Sequence, residues 1–269
     1  MTRSAAAQTE DGIELDRIRS AYLRRRAPAV SARYAWNNPA HLNAMHERER
    51  AMAKLLSGAG ITSFAGLRVL DVGCGRGATL RQLLEYGADP ERLTGVDLLP
   101  ENIREARRLS PHLKTICSSA SQLPFSDGSF DLVLQFLLFT SVLSLALREQ
   151  IAKEISRVLV PGGRFLWFDF AFNNPGNRDV RRVGRSEIHQ LFPDFTLRTR
   201  RVIVAPPLRP IPRSFQSGVV PPGCGNQAPV HALPMPAGKE LFLSGLQAIV
   251  YVRADHNPCV KLFCRFLRH

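Results

Sequence analysis

The sequence predicts an α/β protein in which a doubly wound, largely parallel sheet carries helices on both faces. Three observations predict it. From Leu67 onward short apolar runs alternate with amphipathic stretches at the spacing of βα units. The first of these runs ends in a glycine-rich turn, and two further apolar alternations close the chain.

Two helices are expected ahead of this pattern. Over 11–26, Ile13, Ile18, Tyr22 and Leu23 share roughly one side among charges, and over 41–56, Leu42, Met45, Met52, Leu55 and Leu56 recur at helical spacing before Gly58. Strands follow at 68–72, 92–96, 114–117, 130–135 and 164–170, with helices between them at 77–86, 100–109 and 146–159. Pro161, Gly162 and Gly163 read as the turn that ends the last helix and opens the fifth strand. Alternation resumes at 196–205 and 240–252 as a terminal antiparallel pair. Between them lies a Pro/Gly-rich stretch from 206 to 238, of a length usually reserved for functional or disordered loops. The chain accordingly divides into a helical extension over 1–60 that caps the site, a core over 61–205, the Pro/Gly-rich loop over 206–239 on the acceptor side, and a final strand with a basic tail over 240–269.

Composition narrows the class. With 269 residues, 45% hydrophobic and 22% charged, the chain suits one large core and excludes a fibrous or disordered protein. Its net charge of +13 comes mainly from arginine, densest at Arg24 to Arg26, at Arg178, Arg181, Arg182 and Arg185, and at Arg198, Arg200 and Arg201. Such a surface attracts anions. The arginines are nevertheless spread along the chain with no aromatic-interleaved basic run, so no specific nucleic-acid partner is expected. Cys74, Cys117, Cys224, Cys259 and Cys264 form no C-x-x-C pair, which fits a reduced, cytoplasmic protein without a metal site. No stretch approaches the roughly 18 unbroken apolar residues of a membrane span.

The chemistry concentrates in Val69-Leu70-Asp71-Val72-Gly73-Cys74-Gly75-Arg76-Gly77, an apolar strand running into glycines and then a helix. Glycines here permit positive φ and let a ligand approach the backbone closely. Gly73, Gly75 and Ala78 also satisfy the dinucleotide fingerprint, with Asp97 about 20 residues beyond, so a nicotinamide cofactor competes. Asp71 at the strand end and a third glycine at Gly77 favour a sulfonium cofactor, whose aminocarboxypropyl tail needs partners for an ammonium and a carboxylate. Asp97 can accept bonds from ribose hydroxyls under either reading.

Four segments in order, Val-Leu-Asp-Val-Gly-Cys-Gly-Arg-Gly (69–77), Gly-Val-Asp (95–97), Leu-Pro-Phe-Ser-Asp-Gly-Ser-Phe-Asp-Leu-Val (123–133) and Arg-Val-Leu-Val-Pro-Gly-Gly (157–163), resemble class I S-adenosylmethionine-dependent methyltransferases of the type 11, small-molecule group, over about Ala51 to Asp169. The resemblance implies a Rossmann-like, seven-stranded sheet with its last strand antiparallel and inserted beside the fifth. It implies S-adenosylmethionine as cofactor. Asp71, Gly73, Cys74, Gly75 and Gly77 would lie along the methionine part, Asp97 at the ribose, and Leu98, Ser119, Ala120 and Ser121 around adenine. Ser119 stands where many relatives carry an acid for the adenine amino group. Gln135 would face the mouth where the methyl emerges.

Methyl transfer is an in-line displacement at an activated carbon, so the protein chiefly aligns the reactants. A base is needed only for a weakly acidic acceptor, and the candidates are Asp169 and His41, with His46 and Tyr34 further back. Asn173, Asn174 and Arg185 are placed to orient an acceptor. The reading is methyl transfer to a small-molecule acceptor, in bacterial secondary-metabolite or glycan biosynthesis by resemblance of the flanking segments. An RNA or protein methyltransferase is the alternative, and a nicotinamide-dependent or non-catalytic protein stands third.

Overall fold

Each β-run is apolar because it is covered from both sides, and each helix is amphipathic because it is covered from one. The computed structural model describes residues 10–28, 34–171, 173, 176–203 and 245–253. Its elements are α1 (Glu10–Arg25), α2 (Pro39–Gly58), β1 (Val69–Val72), α3 (Ala78–Glu85), β2 (Leu93–Asp97), α4 (Pro100–Leu109), β3 (Lys114–Cys117), β4 (Phe130–Phe136), α5 (Leu145–Val158), β5 (Leu159–Phe170), α6 (Arg185–Leu191), β6 (Phe195–Ile203) and β7 (Gly245–Arg253). The Pro/Gly-rich stretch, Asn174 and the basic tail lie outside the described residues.

Strands β3, β2, β1, β4 and β5 stand side by side and parallel, giving a Rossmann-like fold with a parallel central sheet. Beyond β5 the edge is extended by β7, antiparallel to β5, and then by β6 against β7. The register sets Val72 opposite both Val96 and Gln135, so the carboxyl ends of β1, β2 and β4 open at one level. The chain order reverses between β1 and β4, and ligands of open α/β sheets bind at such a switch point.

Two hydrophobic clusters sandwich the sheet. Leu70, Val72, Val133, Phe165 and Trp167 face α5 and α6 through Leu147, Ile151, Ile155 and Ile188, and α1 joins them by Ile18. Val69, Leu93, Leu132, Leu134 and Leu166 face α2 and α3 through Met52, Leu55, Leu56, Leu80 and Leu83. Period-2 alternation along the strands produces this division.

The structure departs from the sequence reading in two places. Pro161-Gly162-Gly163 makes no helix-ending turn outside the sheet; it lies inside β5, where Phe130 opposes Leu159 and Leu132 opposes Arg164 across a register shift. Gly162 sits there at φ +71° and Gly163 approaches Val160 too closely for a Cβ, so the run is a bulge in an edge of β5. The second departure is α6, a short helix in a segment to which the sequence pattern assigns no element.

Candidate active site

The strand β1 ends in three left-handed glycines, Gly73 at φ +79°, Gly75 at φ +54° and Gly77 at φ +76°. They fold the chain back so that the amides of Gly73 and Cys74 both donate to the carbonyl of Val96, at 2.7 and 2.9 Å. Gly77 then opens α3. A Cβ built on Gly75 would meet nothing within 4 Å, because it would stand in a cavity. Cys74 points the other way, packed so closely on Gly95 that a Cβ there would fall 2.7 Å from its Sγ. Burial, with Asp71 and Asp97 adding to it, drives the Cys74 thiol far above its usual range.

Asp97 ends β2 beneath this turn. Its Oδ2 accepts from the amide of Gly75 at 2.9 Å, and its Oδ1 accepts from the amide of Leu99 at 2.9 Å and Nδ2 of Asn102 at 3.0 Å. A carboxylate offers about four acceptor positions. Three are engaged, which leaves one open on Oδ2, and Asn102 is itself held from outside by Arg26 at 3.1 Å.

At the opposite end of the turn, Asp71 is 2% exposed, and burial pushes its carboxyl up to about 7, with Asp97 adding and Arg48 opposing. Arg48 reaches over from α2 and lies 4.7 Å from the centre of the Phe136 ring. A buried carboxyl and a guanidinium thus lie at the β1 end of the turn. The sequence reading singled out Asp71 and gave Arg48 no role.

The end of β4 is held by a buried relay. Gln135 donates from Nε2 to Asp169 Oδ2 at 2.9 Å and accepts at Oε1 from the amide of Leu138 at 2.9 Å, while the amide of Thr140 donates to Asp169 Oδ1 at 3.0 Å. Between them Leu137 is the one non-glycine residue at positive φ, +61°, among the described residues. Backbone strain of this kind persists where surrounding contacts over-determine it. Asp169 is 1% exposed, and burial raises it to about 7 against the pull of Gln135 and Thr140. It therefore stands behind the wall, shaping the turn; it takes no place on the cavity surface.

The helix α1 closes the site from above. Glu14 accepts from the amides of Leu143 and Ser144, and Arg17 binds Glu14 at 2.7 Å and the carbonyl of Ser141 at 2.6 Å. Tyr22 shares a hydrogen bond of 3.1 Å with Ser141. Burial alone would raise the Glu14 carboxyl, but Arg17 and the two amides leave it below its ordinary value.

These elements enclose a cavity of about 790 Å³, within the range of small-molecule sites, roughly 300–1,000 Å³. Gly73, Gly75, Asp97, Leu98, Ser119 and Ala120 of the expected set line it, and so do Tyr22, Arg25, Arg26 and Tyr34 from the N-terminal extension. Ser121 sits beside Ser119, with the hydroxyls 2.8 Å apart. Asp71, Cys74, Gly77, Gln135, Asp169 and His41 do not line it. His41 instead packs edge-on against Tyr34 at 5.7 Å, and burial and Arg48 lower its pKa. Arg185 begins α6, and Asn173 accepts from the amide of Arg182 at 2.9 Å. No group of His, Cys, Asp and Glu among the described residues could hold a metal ion.

Comparison with known proteins agrees with this geometry. The family model of a methyltransferase domain matches residues 70–167. The demethylmenaquinone methyltransferase of Tropheryma whipplei is 35% identical over 124 residues, covering 45% of this chain and 47% of that one. The sterol 4-C-methyltransferase of Caenorhabditis elegans is 29% identical over 116 residues, covering 41% of this chain and 33% of its own. The chain thus spans less than half the length of these two relatives. Among solved structures, a Burkholderia thailandensis 1,6-didemethyltoxoflavin-N1-methyltransferase with bound 1,6-didemethyltoxoflavin and S-adenosylhomocysteine superposes with a TM-score of 0.56 at 21% identity, over 95% of this chain and 94% of that one. At that identity the likeness concerns the fold.

Proposed function

We propose that the protein is an enzyme that transfers a methyl group from S-adenosylmethionine to a small-molecule acceptor. The observation that carries this reading is the open glycine cradle: Gly75 lies in a cavity wall, left-handed, with free space where a Cβ would be. Relatives named for small acceptors, a sterol, demethylmenaquinone and a toxoflavin precursor, support the acceptor class.

The residues present fit this cofactor. Behind the cavity wall the buried Asp71 carboxyl and the Arg48 guanidinium lie at the end of the turn where the cofactor's ammonium and carboxylate would sit, Asp97 keeps an acceptor position for a ribose hydroxyl, and Leu98, Ser119 and Ala120 offer an apolar slot with hydroxyls at its edge. S-adenosylmethionine, when bound, supplies a methyl carbon already activated by the sulfonium. What the chain must add is alignment and exclusion of water. The Gln135–Asp169 relay fixes the Leu137–Leu138 turn beside Gly73, where Leu138 comes within 3.3 Å of a Cβ built on the glycine, and α1 covers the opening. His41 packs on Tyr34, which lines the cavity, and is our candidate base; burial and Arg48 lower its pKa, which favours the neutral, proton-accepting form.

The full architecture we infer is a seven-stranded, doubly wound sheet with the last strand antiparallel, supported by the order β3-β2-β1-β4-β5-β7-β6. Residues 1–60 act as the cap and 61–205 as the cofactor-binding core, a division supported by the cavity lining that α1 contributes. A reducing, cytoplasmic setting suits the free thiols of Cys74 and Cys117; no helix among the described residues is long and apolar enough to cross a membrane. A crystal grown with S-adenosylhomocysteine tests the reading. Density running from Arg48 across Gly73–Gly75 to Asp97 supports it, and density elsewhere or none refutes it.

A further inference from the structure

The rim of the cavity carries apolar side chains that the fold does not use. The segment from Tyr34 to Leu42 folds on itself as one compact turn, with the amide of Asn38 on the carbonyl of Ala35 at 3.0 Å, that of Leu42 on Asn38 at 3.0 Å, and Tyr34 against His41. From this turn Trp36 is 83% exposed, Tyr34 61% and Leu42 39%. Tyr34 also lines the cavity, so the apolar lip and the opening are continuous.

The same opening is positively charged. Arg26 and Arg76 are exposed and line it, together with the half-buried Arg25, whose guanidinium lies 4.5 Å over the Tyr22 ring. The acids on that wall are answered within α4, Glu101 by Arg104 at 3.6 Å and Glu105 by Arg108 at 2.9 Å. Asp97 is spent on Gly75, Leu99 and Asn102. The apolar lip thus joins, through Tyr34, an opening that Arg25, Arg26 and Arg76 line, on a chain of net charge +13.

Exposed indole and phenol rings beside cationic side chains suit the boundary between lipid headgroups and acyl chains, where the rings bury their apolar bodies and the arginines meet anionic headgroups. We propose that the Tyr34–Leu42 turn docks the mouth of the cavity on an anionic lipid surface. Docked in this way, the cavity opens toward the bilayer and receives an acceptor that partitions there. That last consequence rests on the methyl-transfer reading; the docking does not.

The chain has two tryptophans, and the other, Trp167, is fully buried, so a change in tryptophan emission on adding vesicles reports on Trp36. The full chain is titrated with phosphatidylcholine vesicles and with vesicles containing phosphatidylglycerol, at about 100 mM salt, following emission and co-sedimentation. The expected result is a blue shift and co-sedimentation with the anionic vesicles alone. Trp36→Ala should lose the shift and bind roughly tenfold or more weakly, while retaining the parent's affinity for S-adenosylhomocysteine as proof of folding. Equal binding to neutral vesicles, no shift with anionic ones, or undiminished binding by Trp36→Ala overturns the proposal. Failure of S-adenosylhomocysteine binding in the parent chain overturns the methyl-transfer reading instead.

Discussion

Replacing Gly75 by alanine separates the two things a left-handed glycine can do. At φ +54° an alanine is strained by about 1–2 kcal/mol, and its methyl enters the space that a bound nucleoside backbone would occupy. Gly87, after α3, is the matched control: it has φ +83°, it too has nothing within 4 Å of a built Cβ, and it is exposed and absent from the cavity wall. Both variants should therefore lose about 1–2 kcal/mol of stability, a fall in midpoint of about 2–4 °C per kcal/mol for a chain near this size. Only Gly75→Ala should also lose ligand. Overfilling a close-packed contact costs about 1–3 kcal/mol, which is roughly 5- to 150-fold in affinity. Thermal unfolding and calorimetry with S-adenosylhomocysteine measure both quantities on the same samples. If Gly75→Ala is as destabilised as Gly87→Ala yet binds like the parent, the glycine turn is a structural corner and the cradle argument fails.

Three further predictions concern the carboxylates and their partners. Asp97→Ala should weaken S-adenosylhomocysteine binding by roughly 1–3 kcal/mol through loss of charge-assisted bonds; calorimetry on the folded variant checks it, and unchanged affinity removes Asp97 from the site. Arg48→Met, which keeps a long apolar stem against Phe136, should weaken S-adenosylhomocysteine more than an analogue lacking its carboxylate, and equal losses for the two ligands exclude the carboxylate contact. Asp71 and Asp169 hold their protons up to about pH 7 in the folded chain, against an ordinary 3.8. Between those values the folded state binds more protons than the unfolded one, so stability falls as pH rises from about 4 to 7. Denaturant titrations across that range should show a shallower fall for Asp169→Asn, and a parallel slope in the two proteins contradicts the buried acid.

The sheet was legible because its strands are short apolar runs punctuated by glycine, and period and punctuation are local signals. The glycine turn and Asp97 were legible for the same reason. What escaped depends on pairs far apart in sequence. Arg48 reads as a surface charge until α2 is laid over Asp71. Asp169 reads as a candidate base until Gln135 and Thr140 are brought onto it. Glu14 anchors α1 to Leu143 and Ser144, more than a hundred residues away, which no periodicity reveals. In β5, Pro161-Gly162-Gly163 obeys a turn rule that the neighbouring strand overrides by pairing across the bulge. The helix α6 is short and lies in an arginine- and asparagine-rich segment, so its apolar residues Ile188 and Leu191 are too few to announce it.

The central claim is that the cavity across β1 and β2 binds S-adenosylmethionine, and the same glycine pattern could have served a nicotinamide dinucleotide. Isothermal calorimetry of the full chain against S-adenosylhomocysteine and against NAD decides between them. The account predicts stoichiometric binding of S-adenosylhomocysteine that is weakened in Gly75→Ala and Asp97→Ala, with no heat from NAD. Binding of NAD at that site, or no binding of S-adenosylhomocysteine by the folded chain, contradicts it.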